Sequence, residues 1–464
     1  MNRLITILLF LLIPYLTACV SSTSDQYAEG GIGGTGVSDG SVSGFGSVFV
    51  NGVEFETGAA TILIDGQSSN ETALHIGQYV TVEGQFNPPV AERISYVETL
   101  KGPVDSINPL RVMGQTILID NGTVFSNMTD VTLDLTPGDE VEVSGPRQSN
   151  GDIVAGYFEK LSSPAQTYTL IGKATNVDLA SGYEINRLRV NIQNANIQEG
   201  QIIRMKGTPS TYNPATSNGF SSIDAESNDA FQPYTGDDEL EAEIEGIITR
   251  FTSVTDFAIN DIPVDASNAI YEQGSANDLA LDVEIEVEGY FNAQGVLVAE
   301  KIILEKESEI ILYGDVTATT SNSLTLMGLT VLVNTETQME DESTSDVQYF
   351  DLGDINTGDQ LEVKAYQDAG SIIASRVERN DPDTEAFIQG PVDAGSIDDV
   401  GTSLSVLGIA LDTEAPTTSF ENIDDSSMTE TEFYGQVAVG DIVRARWDTF
   451  AATTEIVDQM EFED

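Results

Sequence analysis

The chain contains few of the side chains on which most catalytic and metal sites depend. Its 464 residues include one cysteine, one histidine and one tryptophan. A single cysteine excludes a disulfide within the chain, so the fold needs no oxidative cross-link. A Ser-His-Asp triad would need His75. Residues 36–40 match Gly-x-Ser-x-Gly as a string, but no strand precedes them and no helix follows, so they are not a nucleophile elbow. A zinc site is excluded on similar grounds, and we predict a structural or surface role for His75 and no catalytic residue.

Basic side chains are scarce as well. Lys and Arg number 19 against 76 Asp and Glu, which gives a formal net charge of −57. Such a charge repels nucleic acid and anionic lipid, so we expect no nucleic-acid partner. A strong net charge can also indicate disorder. The hydrophobic content of 40% and the regular alternation of apolar residues favour folded modules with acidic faces instead.

The N-terminus has the pattern of a processing signal. Arg3 precedes an apolar run over residues 4–15, which is shorter than the ~20 residues that cross a bilayer core. We therefore predict a signal peptide over residues 1–18. Residues 16–19, Leu-Thr-Ala-Cys, resemble the lipobox of bacterial lipoproteins. That resemblance implies lipidation of Cys19 and a membrane anchor; a secretory signal with an incidental cysteine is the alternative.

Two further expectations concern the segment after Cys19. Val20 is not the aspartate that favours inner-membrane retention in enterobacterial lipoproteins, so we expect a cell-envelope protein at the outer membrane of a Gram-negative bacterium. Residues 19–41 are rich in Gly and Ser and lack periodicity, which predicts a tether. Cleavage before Cys19 would leave 18 basic and 76 acidic side chains, a net charge of −58.

Six internal repeats organise the rest of the chain. Each contains a strand-like stretch that begins with glycine or aspartate and alternates apolar with polar residues, at 77–84, 138–145, 200–207, 282–289, 358–365 and 440–447. The spacing is 61 to 82 residues. Alternation places Val141 and Val143 on one face and Glu140 and Glu142 on the other, as in a half-buried strand.

A hairpin precedes this strand in each repeat, and residues 48–55 with Asn51-Gly52 at the turn show it best. Five short antiparallel strands favour a small closed barrel, OB-like or SH3-like, with a two-sheet sandwich as the alternative. We therefore predict an all-β tandem array, with repeats at residues 42–100, 101–166, 167–240 (degenerate), 241–308, 309–384 and 385–464.

These motifs carry a family resemblance. Residues 31–36 and 44–52, followed by the later Gly-Asp-x-Val-x-Val copies, resemble bacterial lipoproteins built from DUF5666 domains. The resemblance covers nearly all of residues 42–464 and is strongest in repeats 1, 2 and 4. The family has no assigned activity, so the resemblance implies architecture and an envelope location only.

Candidate sites are weak. Gly31, Gly33 and Gly36 match the dinucleotide fingerprint as a string, but no strand precedes them and no helix follows. Oxygen-rich clusters at 237–239, 340–342 and 380–383 are candidates for calcium, with Asp381 and Asp383 at the junction of repeats 5 and 6 as the metal ligands we name. None matches an EF-hand loop, so we expect no cofactor except calcium.

The sequence leaves two classes of function open. The first is a non-enzymatic, membrane-anchored envelope lipoprotein: an extended string of barrels used as a scaffold, spacer or adhesion module for a protein or polysaccharide partner. The second is an enzyme or enzyme accessory that acts on envelope or extracellular polysaccharide. The lack of a triad, a metal set and a cofactor loop favours the first. Short linkers, such as residues 98–102, and like charge on every repeat predict an in-line arrangement.

Overall fold

The structure is a computed structural model of the chain. It describes residues 35–464 except 193–195, 215–219, 232–239, 305, 307, 346, 348, 399–401, 414–415, 424–425, 448–455 and 464. Residues 1–34, which include Cys19, and the acidic cluster at 237–239 therefore lie outside the described residues.

Short strands form each repeat. Repeat 1 contains β1 (Thr35–Gly44), β2 (Val48–Val50), β3 (Val53–Phe55), β4 (Thr61–Ile64), β5 (Gln67–Ser69), β6 (Tyr79–Phe86) and β7 (Pro89–Tyr96). Repeat 2 contains β8 (Leu100–Ser106), β9 (Arg111–Val112), β10 (Gln115–Leu118), β11 (Val124–Ser126), helix α1 (Val131–Asp134), β12 (Glu140–Ser144), β13 (Ile153–Val154) and β14 (Tyr157–Lys160). Repeat 3 contains β15 (Tyr168–Lys173), β16 (Thr175–Asp178), β17 (Gly182–Ile185), β18 (Leu188–Asn191), β19 (Ile202–Gly207) and β20 (Ser221–Ala230).

The second half of the chain repeats the pattern. Repeat 4 contains β21 (Glu241–Ser253), β22 (Asp256–Ile259), β23 (Ile262–Asp265), β24 (Ile270–Glu272), β25 (Glu284–Phe291) and β26 (Leu297–Leu304). Repeat 5 contains β27 (Ile310–Thr319), β28 (Ser323–Leu326), β29 (Leu329–Leu332), β30 (Gln338–Asp341), β31 (Gln360–Asp368) and β32 (Ser371–Asn380). Repeat 6 contains β33 (Ala386–Pro391), β34 (Ser403–Val406), β35 (Ile409–Asp412), β36 (Ser419–Glu421), β37 (Ser427–Met428), helix α2 (Glu430–Gln436), β38 (Ile442–Trp447) and β39 (Gln459–Phe462). Single 3-10 turns lie at Glu71–Ala73, Pro209–Thr211 and Leu352–Asp354.

Each repeat closes its strands into a small barrel. In repeat 4, β21 pairs with β22, β22 with β23, β23 with β26, β26 with β25, and β25 with β21. When β21, β22, β23, β25 and β26 are numbered as barrel strands 1 to 5, the barrel order is 1-2-3-5-4-1 and strands 3 and 5 are parallel. The barrel of repeat 5 has the same order. This crossing of the last two strands is the arrangement of an OB-like barrel rather than a simple meander.

The predicted elements are confirmed. All six alternating stretches form the fourth strand of a barrel, and all six hairpins form its second and third strands. Turn residues adopt the positive φ that the type I′ geometry needs, for example Asn51 at 51° and Gly52 at 70°. A glycine on the first strand lies under the turn: a Cβ at Gly246 would lie 2.1 Å from Asn260 Nδ2. The opening glycine therefore makes room for the hairpin that covers it.

The repeats join in pairs through their first strands. Antiparallel pairing of β8 with β15 joins repeats 2 and 3, and antiparallel pairing of β27 with β33 joins repeats 5 and 6. Repeats 1 and 4 are joined by parallel pairing of β1 with β21, from Gly36 opposite Glu241 to Asp39 opposite Ile244. Buried apolar side chains run continuously through repeats 2 and 3 and through repeats 5 and 6. Along the chain, the paired repeats 2 and 3 therefore lie between repeat 1 and its partner, repeat 4.

Two sequence-based expectations are corrected. The extended string is wrong, because repeats that are distant in sequence contact one another: 1 with 4 through β1, and 2 with 5 through Arg376, which donates to the Thr123 carbonyl. The tether does not extend to residue 41, because β1 begins at Thr35 and buries Val37 in the core of repeat 4. Small residues there allow close strand packing: a Cβ at Gly36 would lie 2.6 Å from the Glu241 carbonyl oxygen.

Candidate functional site

A cleft of about 940 Å³ lies where repeats 1, 2, 3 and 4 meet. Its walls combine apolar side chains and backbone with a few charged groups from all four repeats. The lining includes Asp39, Tyr79, Arg147, Arg204, Phe231 and Asp261. The volume falls in the range typical of small-molecule and cofactor sites.

Arg147 is a cation on this wall that is held by neutral acceptors. Its guanidinium donates to the Gly151 carbonyl oxygen at 2.6 Å and also to the Ile171 carbonyl, which belongs to repeat 3. Burial lowers the pKa of Arg147 to about 10, and the nearby carboxylates of Asp152 and Asp261 oppose that shift. The group remains positively charged at neutral pH, so the cleft presents a fixed positive charge in an otherwise acidic protein.

Ion pairs between repeats close the cleft on other sides. Arg204 and Lys206 of repeat 3 bind the Asp65 carboxylate of repeat 1. Lys173 of repeat 3 lies 3.2 Å from the Asp261 carboxylate of repeat 4. The cleft is therefore held by contacts between different barrels, and no single repeat contains it.

The joint between repeats 1 and 4 forms one side of the cleft and is rich in carboxylates. We define this 1·4 joint as β1 and β6 of repeat 1 together with β21 and β25 of repeat 4. Ser38 donates to Glu243 at 3.2 Å, and the backbone N–H of Ser41 donates to Glu245 at 2.9 Å. The Asn51 side chain completes the chain of donors by binding Ser38 Oγ at 3.0 Å.

Tyr79 lies at the centre of this joint. Its hydroxyl oxygen is 2.8 Å from a carboxylate oxygen of Glu245 and 2.8 Å from one of Glu284. Its backbone N–H donates to Ser144 Oγ of repeat 2 at 2.9 Å. Burial and the Glu245 charge raise the pKa of Glu284 to about 8, and burial raises the pKa of Asp39 on β1 to about 7. One residue thus ties three repeats together.

A second group of acids lies deeper in the joint. Oxygen atoms of Glu243, Glu286 and Glu288 lie within 4.8 Å of one another, and all three side chains are buried. Burial and the Glu288 charge raise the pKa of Glu243 to about 8. Lys301 forms an ion pair with Glu288. Carboxylates this close could hold a hard cation, but protonation and Lys301 already offset their charge, so we assign no metal to them.

The predicted calcium ligands, Asp381 and Asp383, lie outside both the cleft and the 1·4 joint. Asp381 accepts hydrogen bonds from the backbone and hydroxyl of Thr344 at 2.9 and 3.0 Å, and Asp383 accepts one from the Glu385 backbone at 3.3 Å. Within the part of the chain that the structure describes, neither belongs to a group of three potential ligands. Calcium binding at Asp381 and Asp383 stays a prediction.

The other candidates have structural surroundings. His75 stacks on Tyr157 of repeat 2, with ring centroids 5.3 Å apart. Asp341 of the 340–342 cluster is bound by Arg379, with Nε 2.9 Å from Oδ1. Glycines 31 and 33 of the fingerprint string lie outside the described residues, whereas Gly36 lies inside β1. The structure does not bring these residues together.

The sequence analysis missed the residues that form the joint and the cleft. Glu245 and Glu284 each match the polar positions of an ordinary alternating strand. The one available signal was Tyr79, a large aromatic at a position where the alternation calls for a polar residue. Arg147 follows the fourth strand of repeat 2 and gave no signal.

The fold and the cleft define a protein of tandem OB-like barrels, four of which line a shared cleft. Four segments match the family model described as domain of unknown function (DUF5666): residues 37–95, 101–157, 245–303 and 313–378. These segments are repeats 1, 2, 4 and 5 and cover just over half of the chain. The chain belongs to the DUF5666 family.

Other comparisons add little. No curated protein matches the chain. Among solved structures, it matches a Drosophila chain titled "drosophila Unr CSD456" at 12% identity, over 65% of this chain and 98% of that chain. The TM-score is 0.15, so the assignment of OB-like barrels depends on the strand order alone. Among the described residues, no helix is long and apolar enough to cross a membrane.

Proposed function

We propose that this protein is a non-enzymatic, lipid-anchored scaffold of the cell envelope, and that the central cleft is its binding surface for an envelope protein or polysaccharide. The observation that carries the proposal is the cleft itself, which four repeats build jointly and which has the Arg147 guanidinium on its wall. A surface assembled from four barrels gives a physical reason for their compact packing. A spacer would need none.

The anchor is part of the proposal. A lipid on Cys19 would hold the protein at the outer membrane, with residues 20–34 between the lipid and the first barrel. Cys19→Ser should release the protein from the membrane fraction of cells. A Cys19→Ser protein that still fractionates with the outer membrane would overturn the lipoprotein assignment.

The cleft can be tested by cross-linking in intact cells. A photo-reactive amino acid at Ile262, which lines the cleft, should form an adduct with the bound partner. The matched control is Ile270 of the same repeat, which is 62% exposed and does not line the cleft. Adducts of equal yield at both positions would contradict a specific surface. Release of shortened chains from envelope polysaccharide by the purified protein would support the enzymatic alternative instead.

A further inference from the structure

The contact of Tyr79 with Glu245 and Glu284 requires a proton that the three side chains must share. A phenol carries one hydroxyl hydrogen and can donate it to one acceptor. One carboxylate oxygen of Glu245 and one of Glu284 each lie 2.8 Å from the hydroxyl oxygen. Both distances are those of a hydrogen bond. With both carboxylates ionised, one contact would place a negative oxygen against the lone pairs of the phenol. The second contact is a hydrogen bond only if one carboxyl group is protonated and donates to Tyr79.

The surroundings select Glu284 as the protonated group. The Glu245 carboxylate already accepts the backbone N–H of Ser41 at 2.9 Å as well as the Tyr79 contact. Hydrogen bonds from donors favour the ionised form of a carboxylate. The only side-chain hydrogen bond that the structure gives Glu284 among the described residues is the one with Tyr79, and burial beside Glu245 raises the pKa of Glu284 to about 8. Burial also raises the pKa of Glu245, but the hydrogen bonds from Ser41 and Tyr79 oppose that shift.

Other charged groups around this contact add to its demand for protons. They come from repeats 1, 2, 4 and 5, and one of them is basic: Asp39, Asp120, Glu243, Glu272, Glu286, Glu288, Lys301 and Glu336. Lys301 is engaged with Glu288. The joint therefore has a large excess of carboxylates over cations. Asp120, Glu272 and Glu336 are exposed, so water screens their charges. Glu243, Glu286 and Glu288 are buried, and ionising them together with Glu284 would place like charges in a poorly solvated space.

We propose that the 1·4 joint is a proton-dependent lock, closed while the Tyr79 group holds its shared proton and weakened when that proton is lost above neutral pH. This inference is independent of the proposed envelope function. The sign follows from linkage: a carboxyl whose pKa is raised in the folded state stabilises that state fully below its ordinary value near 4.5. That stability is lost as the pH rises towards about 8. The weakened joint would alter the cleft, since Asp39 and Tyr79 line it.

The experiment compares the full chain with Glu284→Gln, which keeps the size of the side chain and is neutral at every pH. The amide that this substitution introduces can donate an N–H to Tyr79, so the closed geometry is retained. The matched control is Glu300→Gln, which removes one exposed acid from the same repeat. Thermal unfolding is measured from pH 6 to 9, together with the infrared carbonyl band of protonated carboxyl groups, which follows the proton directly without a variant.

The melting temperature of the wild type should fall from pH 6 to 9, and Glu284→Gln should release about one proton fewer on unfolding in this range. Hydrogen exchange of peptides from β1 and β21, corrected for the intrinsic pH effect, should rise between pH 6 and about pH 8 in the wild type and level off above it, and it should rise less in Glu284→Gln. Identical pH profiles for wild type, Glu284→Gln and Glu300→Gln, or no protonated-carboxyl band near neutral pH that Glu284→Gln removes, would overturn the proposal. So would a calcium chloride effect at pH 8.5, at matched ionic strength, that restores the pH 6 stability, because a cation would then neutralise the joint.

Discussion

Charged side chains in this protein stabilise the contacts where different repeats meet. Arg376 of repeat 5 is 5% exposed, yet it binds Glu340 and Glu378 at 2.7 and 2.9 Å. A third hydrogen bond, 3.1 Å to the Thr123 carbonyl, reaches repeat 2. A buried ion pair adds little by itself, but removal of one partner leaves the other charged and poorly solvated. Arg376 should therefore be among the residues least tolerant of change.

Arg376→Met tests this expectation. The substitution leaves two half-buried carboxylates without their cation and should lower the free energy of unfolding by about 3 kcal/mol. Trp447, the one tryptophan, lies in the core shared by repeats 5 and 6, so its fluorescence reports the stability of that pair. Arg250→Met is the control, because its ion pair with Asp256 is exposed and should contribute less than ~1 kcal/mol. Arg250 lies in repeat 4, outside the pair that Trp447 reports, so circular dichroism follows the unfolding of both variants. Equal losses in both variants would refute the special role of Arg376.

Single elements follow local rules that the sequence displays. The hairpin turns, the alternating fourth strands and the opening glycines were predictable because each depends on residues close in the chain. The choice between an OB-like and an SH3-like barrel could not be predicted from the sequence, because it depends on whether barrel strand 5 pairs with barrel strand 3. That pairing, for example Val264 with Leu297, joins residues more than thirty positions apart.

The opening glycines give a prediction for one element. At Gly246 a Cβ would meet the Asn260 side chain at 2.1 Å, so Gly246→Ala must displace the turn between β22 and β23. We expect a loss of about 1–3 kcal/mol in the free energy of unfolding, as for overpacked cores. Gly435→Ala is the control, since a Cβ there meets nothing within 4 Å and helix α2 should gain up to about 1 kcal/mol. Chemical denaturation measures both, and a neutral Gly246→Ala would contradict the close approach.

Pairs of repeats, rather than single repeats, should be the smallest stable units. Repeat 2 shares its apolar core with repeat 3 and contributes Val124 and Tyr157 to the core of repeat 1. A fragment of residues 101–166, whose pattern suggests an independent domain, loses these contacts and the β8–β15 pairing. We expect it to melt well below a fragment of residues 98–231 when followed by circular dichroism. Equal melting temperatures would mean that each barrel folds alone.

At the scale of the whole molecule, short linkers and like charge suggested repulsion and an in-line string. The structure differs because specific contacts between distant repeats oppose that repulsion locally. Asn121 of repeat 2 donates to the Ser308 carbonyl at 2.8 Å, and Ser149 donates to Asp282 of repeat 4 at 2.6 Å. Neither partner could be chosen from the sequence, because each lies in a loop that resembles the other acidic loops. Non-local pairing also explains why the joint and the cleft escaped prediction.

Small-angle scattering gives the decisive test of this arrangement. A compact chain of this length has a radius of gyration of about 22 Å by the scaling of folded domains. Six barrels in line would give roughly 45–50 Å, since each is about 30 Å across. Six barrels packed with a central cleft should fall between about 22 and 28 Å. The value should hold from low to moderate salt, because hydrogen bonds and shared sheets, not screening, keep the repeats together. A radius of about 45 Å, or one that shrinks steeply as salt is added, would restore the extended string.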